Sequence, residues 1–242
     1  MRERIVRRGA VAGVVVAASL VFGAMPASAD PGDGSAYVAM VAVTMRGEHA
    51  VDTGVLAPSS TAGPNTADVA SVEAAKLVTA GTSSSSANLD QETGLVSSAA
   101  DVSDVGLGLA SLNGRIGAVK GHCEGDQGGV KGATTLSDVQ IPGANVPANP
   151  EPNTAVDTLA ARLVFNEQVR ADDGSLTVNA LHVYMNPTAG SGDVVLAQAK
   201  CGPPSPPVPL ASGLGLWLSV GLLGLAAIPG GLAIRRRRTE FA

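Results

Sequence analysis

The sequence predicts a mainly β protein, a sandwich-like antiparallel domain followed by a single C-terminal transmembrane helix. Three observations carry this. Between residues 160 and 201 apolar and polar residues alternate with period 2 about short turns, which is the pattern of half-buried strands. The stretch 30–209 is rich in Ala, Val, Gly, Ser and Thr, and its aromatic residues are Tyr37, Phe165 and Tyr184. Such a core is built from small and β-branched side chains, which suit pleated strands better than helices. Finally, residues 210–234 carry no ionisable side chain, and at ~1.5 Å per helical residue they more than cross a ~30 Å hydrocarbon layer.

The two ends define the organisation. Arg2, Arg4, Arg7 and Arg8 precede an apolar stretch at 10–24 and the small-residue sequence Ala27-Ser28-Ala29, the three parts of a secretory signal. Cleavage is expected between Ala29 and Asp30. At the other end the apolar run is followed by Arg235, Arg236, Arg237 and Arg238. Arginines beside a span resist translocation, so these four are expected to act as a stop-transfer lock on the cytoplasmic side. The expected organisation is a signal peptide at 1–29, a β-rich extracellular domain at 30–201, a Pro-rich stalk at 202–209, a transmembrane helix at 210–234 and a cytoplasmic tail at 235–242.

Charge agrees with this division. The chain has a net charge of −5, but eight of its 16 basic and 19 of its 21 acidic residues lie within 30–209, which carries −11. The exported part is acidic and the basic clusters stay behind. No basic stretch with interleaved aromatics accompanies the arginines, so membrane lipid is the expected partner, with cell-wall or surface components beyond it, and nucleic acid is not.

Along the domain, residues 35–45 (SAYVAMVAVTM) read as a strand and residues 50–70 as a turn-rich link. Residues 70–81 (ASVEAAKLVTAG) fit a helix by their Ala, Glu and Lys or a strand by their alternation, with strand preferred. Ser83 to Ser86 read as a serine loop. Several short apolar stretches follow, and Asn113-Gly114 signals a hairpin turn. Three prolines place 144–153 in a surface loop. From 160 onward, runs on either side of ADDGS (171–175) and a third run ending at Cys201 predict a β-meander. The stretch GPPSPPVP after Cys201 reads as an extended, polyproline-like stalk.

The cysteines, Cys123 and Cys201, are the only two, both lie in the exported part, and each ends a ten-residue run opened by glycine. A disulfide between them is expected, with free thiols or an intermolecular link as the alternative. Strict period 2 would put Cys201 on one face with Val195, Ala197 and Ala199, and Cys123 with Val119 and Gly121. In the loop-entropy description a bond closing so long a loop constrains the unfolded chain by ~4 kcal/mol.

The segments PNTAV, LVFNEQ, GSLTVNALHV and GDVVLAQAKC resemble the choice-of-anchor P family of exported proteins from high-GC Gram-positive bacteria. The similarity is clearest over 114–201 and extends back to about residue 35. The resemblance implies an exported domain followed by one of several surface anchors, and it brings no enzymatic activity with it. Asn166, Glu167 and Gln168 are expected at a strand end, and Asn179 to His182 within a strand. Wall attachment by a sortase would need a motif such as L-P-x-T-G before the span; PLASGLG at 209–215 lacks the threonine, so a retained single-pass helix is preferred.

Catalytic chemistry has little local support. His49, His122 and His182 are the only histidines, and none sits in a G-x-S-x-G or H-E-x-x-H context. His182, beside Tyr184 on one strand face, reads as a packed or exposed strand residue. No cofactor is expected, since phosphate-cradling loops and nucleotide fingerprints are absent from the sequence. Carboxylates in the Gly-containing turns DPGDGS, CEGDQGG and ADDGS could serve Ca²⁺, but Asp and Gly also make turns in their own right. The expected function is therefore that of a membrane-anchored, surface-displayed structural or adhesive domain without catalysis. The alternatives are an exported enzyme, a small-ligand-binding module or a wall-anchored protein.

Overall fold

The computed structural model describes residues 30–45, 50–109 and 112–206. The signal region with Ala29, residues 46–49 with His49, the expected span at 210–234 and Arg235, Arg236, Arg237 and Arg238 lie outside them. Among the described residues no helix is long and apolar enough to cross a membrane.

The described chain forms fourteen strands in two antiparallel sheets. The first sheet contains β1 (Gly34–Met45), β2 (Ala50–Leu56), β3 (Ser59–Ser60), β11 (Thr154–Asp157), β12 (Ala161–Arg170), β13 (Leu176–Met185) and β14 (Gly190–Cys201). Its main path runs β11-β12-β13-β14-β1-β2, with β3 against β1. The second sheet contains β4 (Thr66–Val69), β5 (Val72–Ala74), β6 (Val78–Ala80), β7 (Ser83–Leu89), β8 (Val96–Leu109), β9 (Leu112–Asp126) and β10 (Gly129–Ser137). Its path is β10-β9-β8-β6-β5, with β7 joining β8 to β4.

The sheets pack face to face as a sandwich. Val38, Val41, Leu163, Phe165, Leu181 and Leu196 of the first sheet share one core with Val78, Val102, Leu107, Leu109, Ile116 and Val119 of the second. Among the described residues Phe165 is the single fully buried aromatic ring, the other large buried side chains being aliphatic, so close approach of small residues supplies much of the packing. Gly121 shows how close: a Cβ there would lie 2.4 Å from the carbonyl oxygen of Ala197 on the opposite sheet.

The meander forms as the sequence predicts, with β12, β13 and β14 in consecutive antiparallel register. Both chain ends of the domain leave together, because Gly34 pairs with Cys201. Residues 202–205, expected as free stalk, remain attached to the domain: Gly202 N donates to Asp33 O (2.7 Å), Gly32 N to Pro203 O (2.9 Å) and Ser205 N to Gly94 O (3.1 Å).

Five local expectations are corrected. The serine run is strand β7, because its inward hydroxyls find carbonyls: Ser83 donates to Gly81 O and Ser85 to Ala57 O, at 2.9 and 2.6 Å. The presumed link at 50–70 contains β2, β3 and β4; in β2 a bulge opposite Met40 to Ala42 is completed by Thr53, whose hydroxyl accepts from Val41 N. Residues 70–81 are two strands, not one, because Ala75 and Lys76 adopt left-handed φ values of 45° and 60°, a turn that no Gly or Asn announces. Asn113-Gly114 lies inside β9, where Gly114 packs beneath Ile141 and Leu107, and the hairpin closes between Leu109 and Leu112 instead. Asn166, Glu167 and Gln168 stand within β12, not at its end.

Candidate functional site

A crease across the first sheet creates the most extended side-chain hydrogen-bond cluster among the described residues. Strict alternation fails at one row on four neighbouring strands. Phe165 and Asn166, Ala180 and Leu181, Leu196 and Ala197, and Val38 and Ala39 are each consecutive and all buried. Asn166 and Ala197 accommodate this with left-handed φ values of 51° and 52°, unusual for residues with a side chain and a mark of local strain. Consequently Val195 points outward, away from Ala197, Ala199 and Cys201, contrary to strict period 2.

Beyond the crease the outward residues converge. Glu167 is opposite Asn179 in the register, and because Ala180 and Leu181 both turn inward, the next outward residue on β13 is His182. Glu167 Oε2 accepts from Asn179 Nδ2 at 2.6 Å and lies 2.6 Å from His182 Nδ1, while Oε1 accepts from the Tyr184 hydroxyl at 2.5 Å. His182 Nε2 lies 2.8 Å from Asp193 Oδ2 on β14. The rings of His182 and Tyr184 stack with centroids 3.9 Å apart. Gln198 Nε2 extends the set, bonding Asn179 Oδ1 at 2.7 Å and the Tyr37 hydroxyl at 2.9 Å. Four strands thus meet in one network.

The electrostatics follow from these contacts. Burial by itself raises the Glu167 carboxyl, but hydrogen bonds from Tyr184, Asn179 and His182 outweigh it and hold the group below its ordinary value. Burial, then the bond to Glu167, pushes the Tyr184 phenol upward. Burial, with the negative charge of Asp193, pushes Tyr37 up to about 12.

Chemically the cluster is closed. Both imidazole nitrogens of His182 are engaged by carboxylate oxygens, and neither a serine nor a cysteine belongs to the network. Glu167 and Asp193 sit at opposite ring nitrogens and do not converge on a common point. Among the described residues no group of three or more His, Cys, Asp or Glu is arranged to hold a metal ion. The turn carboxylates considered for Ca²⁺ bond their own backbone: Asp33 Oδ2 accepts from Asp30 N, Asp126 Oδ1 from Gly128 N and Asp173 Oδ1 from Ser175 N. His122 is exposed on the second sheet, whereas this cluster is on the first.

The partners of Glu167 in the sequence motif point the other way. Asn166 Nδ2 donates to Pro150 O, and Gln168 Nε2 donates to Gly132 O on β10 as well as to Asn166 Oδ1. One tripeptide therefore holds the outer network, the 144–153 loop and the opposite sheet together. Sequence reasoning placed these residues in strands but did not bring Glu167, His182, Tyr184 and Asp193 together. The available signal was the consecutive apolar pair Ala180-Leu181 between Asn179 and His182, which breaks period 2.

Cys123 and Cys201 form the expected disulfide, with S–S 1.99 Å, a χ3 of 93° and Cα atoms 6.0 Å apart. It joins β9 to β14, and so one sheet to the other, inside a second apolar cluster of Val96, Val130, Leu176, Val178 and Ala199. Asp30, the expected first residue after cleavage, is exposed at the start of the described chain.

Fold and site together define a disulfide-locked, antiparallel β-sandwich with a creased sheet. No protein-family model, curated protein or solved structure matches the chain.

Proposed function

We propose that this chain is an exported, single-pass membrane protein whose β-sandwich is displayed outside the cell as a structural or adhesive domain with no catalysis of its own. The observation that carries this reading is the buried Cys123–Cys201 bond between the sheets, since structural disulfides persist in oxidising compartments and are rare in the cytosol. The signal at 1–29, the uncharged run at 210–234 and Arg235 to Arg238 supply the export and retention signals. Membrane lipid and cell-wall or surface components are the partners of this reading. It includes membership of the choice-of-anchor P family, supported by the way three of the four quoted motifs, through Glu167, Asn179, His182 and Gln198, share one network.

Fractionation of cells with intact-mass measurement tests it. The mature chain should begin at Asp30, retain its C terminus and be found in the membrane fraction. A cytoplasmic chain beginning at Met1 with both thiols free would overturn the proposal. Loss of the C-terminal run with covalent attachment to the wall would favour sortase anchoring instead. For the adhesive role, aggregation and surface attachment are compared in cells with and without the protein. No difference, together with hydrolysis of a small substrate by the purified chain, would favour the enzyme.

A further inference from the structure

Among the described residues of this acidic domain, most cations are neutralised or bonded. Lys120 pairs with Asp101, Lys131 with Asp126 and Arg162 with Asp157, and Arg170 donates to Val130 O. The side chains of Lys76, Arg115 and Lys200 have no such partner. Two of these three line one groove. It lies on the outer face of the second sheet, has a volume of about 670 Å3, and includes the amides of Asn113 and Gln140. Through Thr79, Gly106, Arg115 and Gln140 it runs on into a depression of about 400 Å3 that Asp104 and Asp138 also line.

The register places the groove at one end of the sandwich. Leu107 pairs with Gly114 and Leu109 with Leu112, whereas Cys201 and the chain leading to the C terminus lie at the other end, where Val96 pairs with Gly125 beside Cys123. The groove therefore lies at the end of the sandwich remote from Cys201. Gly106 and Gly108 in its floor serve strand packing, since a Cβ at either would come within 2.5 Å of Thr79 Oγ1 or of Lys76 O. The Thr79 hydroxyl and the Lys76 carbonyl therefore cover these two glycines and line the groove with polar oxygens.

We propose that this groove binds a short stretch of a carboxylated glycan in which uronic acid and neutral sugars alternate. Lys76 and Arg115 meet the carboxylate, the amides and the Thr79 hydroxyl exchange hydrogen bonds with ring hydroxyls, and Asp104 and Asp138 accept from the hydroxyls of the neutral sugar. The two aspartates also repel a bare polyanion. Continuity over two depressions suits a linear polymer rather than a single small molecule. Because exposed ion pairs each contribute little, single-site affinity is low and display in many copies raises it. The inference deepens the adhesive reading and rests on it only for where the glycan is met.

The test is titration of the purified full chain in detergent with hyaluronan oligosaccharides, followed by calorimetry. Arg115→Gln and Lys76→Gln should each weaken binding roughly fivefold and together more than tenfold, while Lys200→Gln should leave it unchanged. Dextran, which is neutral, and poly-glutamate, which is charged but no sugar, should not compete. Absence of oligosaccharide binding, equal binding by all variants, or competition by poly-glutamate would overturn the proposal. Failure here with the protein correctly found in the membrane fraction would leave the location intact, so the two readings fail separately.

Discussion

Glu167 Oε2 lies 2.6 Å from His182 Nδ1 across two strands that are adjacent only because a turn at 171–175 folds the meander back on itself. The same carboxylate accepts from Asn179 and Tyr184. Replacing it removes a charged acceptor shared by three donors, so Glu167→Gln should destabilise the domain by about 1–3 kcal/mol, read as a lower melting temperature. The neutral amide keeps shape but cannot accept from all three. A variant as stable as the parent would show that the network contributes no net stability.

The depressed carboxyl of Glu167 has a consequence in acid. A folded-state value below the ordinary 4.5 means that its contribution is fully present above that value and is lost as pH falls through the lower, folded one. Stability should therefore decline below about pH 4.5 in part through this residue, and Glu167→Gln should flatten that limb. Identical acid limbs for parent and variant, followed by denaturant melts at stepped pH, would place the sensitivity elsewhere.

Tyr37 works in the opposite direction. Its phenol is raised from 10.0 to about 12 by burial and by Asp193, so the folded state keeps a proton that the unfolded state releases. Its contribution is present below pH 10.0 and is lost as pH rises through about 12. Asp193→Asn should move the phenolate transition of Tyr37 downward in a spectrophotometric titration, with Tyr37→Phe used to assign the transition. No movement would mean that burial alone sets it.

For the disulfide, Cys123→Ser and Cys201→Ser should each cost about 4 kcal/mol, and the double substitution no more than either, since one bond is lost in all three. Thermal melts of the three variants decide this. Additive losses would mean that each sulfur contributes independently of the other.

The edge of the second sheet carries a different prediction. Arg170 Nη2 donates to Val130 O at 2.8 Å and Gln168 Nε2 to Gly132 O at 2.9 Å, occupying carbonyls of the terminal strand β10 that would otherwise accept from another chain. Leu136 N is similarly taken by Ala148 O. Arg170→Ala with Gln168→Ala should increase concentration-dependent association in light scattering while costing roughly 1 kcal/mol per lost bond. Unchanged scattering would assign these side chains to sheet-to-sheet attachment alone.

The meander and the disulfide were legible because their signals are local: alternation about ADDGS, and two cysteines in similar runs. The serine strand was not, because what makes Ser83 and Ser85 acceptable inside is a carbonyl supplied by neighbouring chain, at Gly81 and at the distant Ala57. The turn at Ala75 and Lys76 was hidden because both adopt left-handed φ with neither glycine nor asparagine to announce it. The cluster around His182 depended on the crease, a property of four strands at once. Alternation read one strand at a time could suggest a break at Ala180-Leu181 but not that Phe165-Asn166, Leu196-Ala197 and Val38-Ala39 break at the same row.

Because Gly34 and Cys201 are partners in the ladder and Cys201 is bonded to Cys123, tension applied to the chain beyond Cys201 cannot peel β14 from its neighbours one hydrogen bond at a time. The pull passes through sulfur into β9, at Cys123 near its C-terminal end, and is carried by both sheets in parallel. The domain should behave as a mechanical shackle, with a rupture force that drops sharply when single molecules are pulled from the C terminus in the presence of reductant. Equal forces in oxidised and reduced molecules would show that the load takes another route.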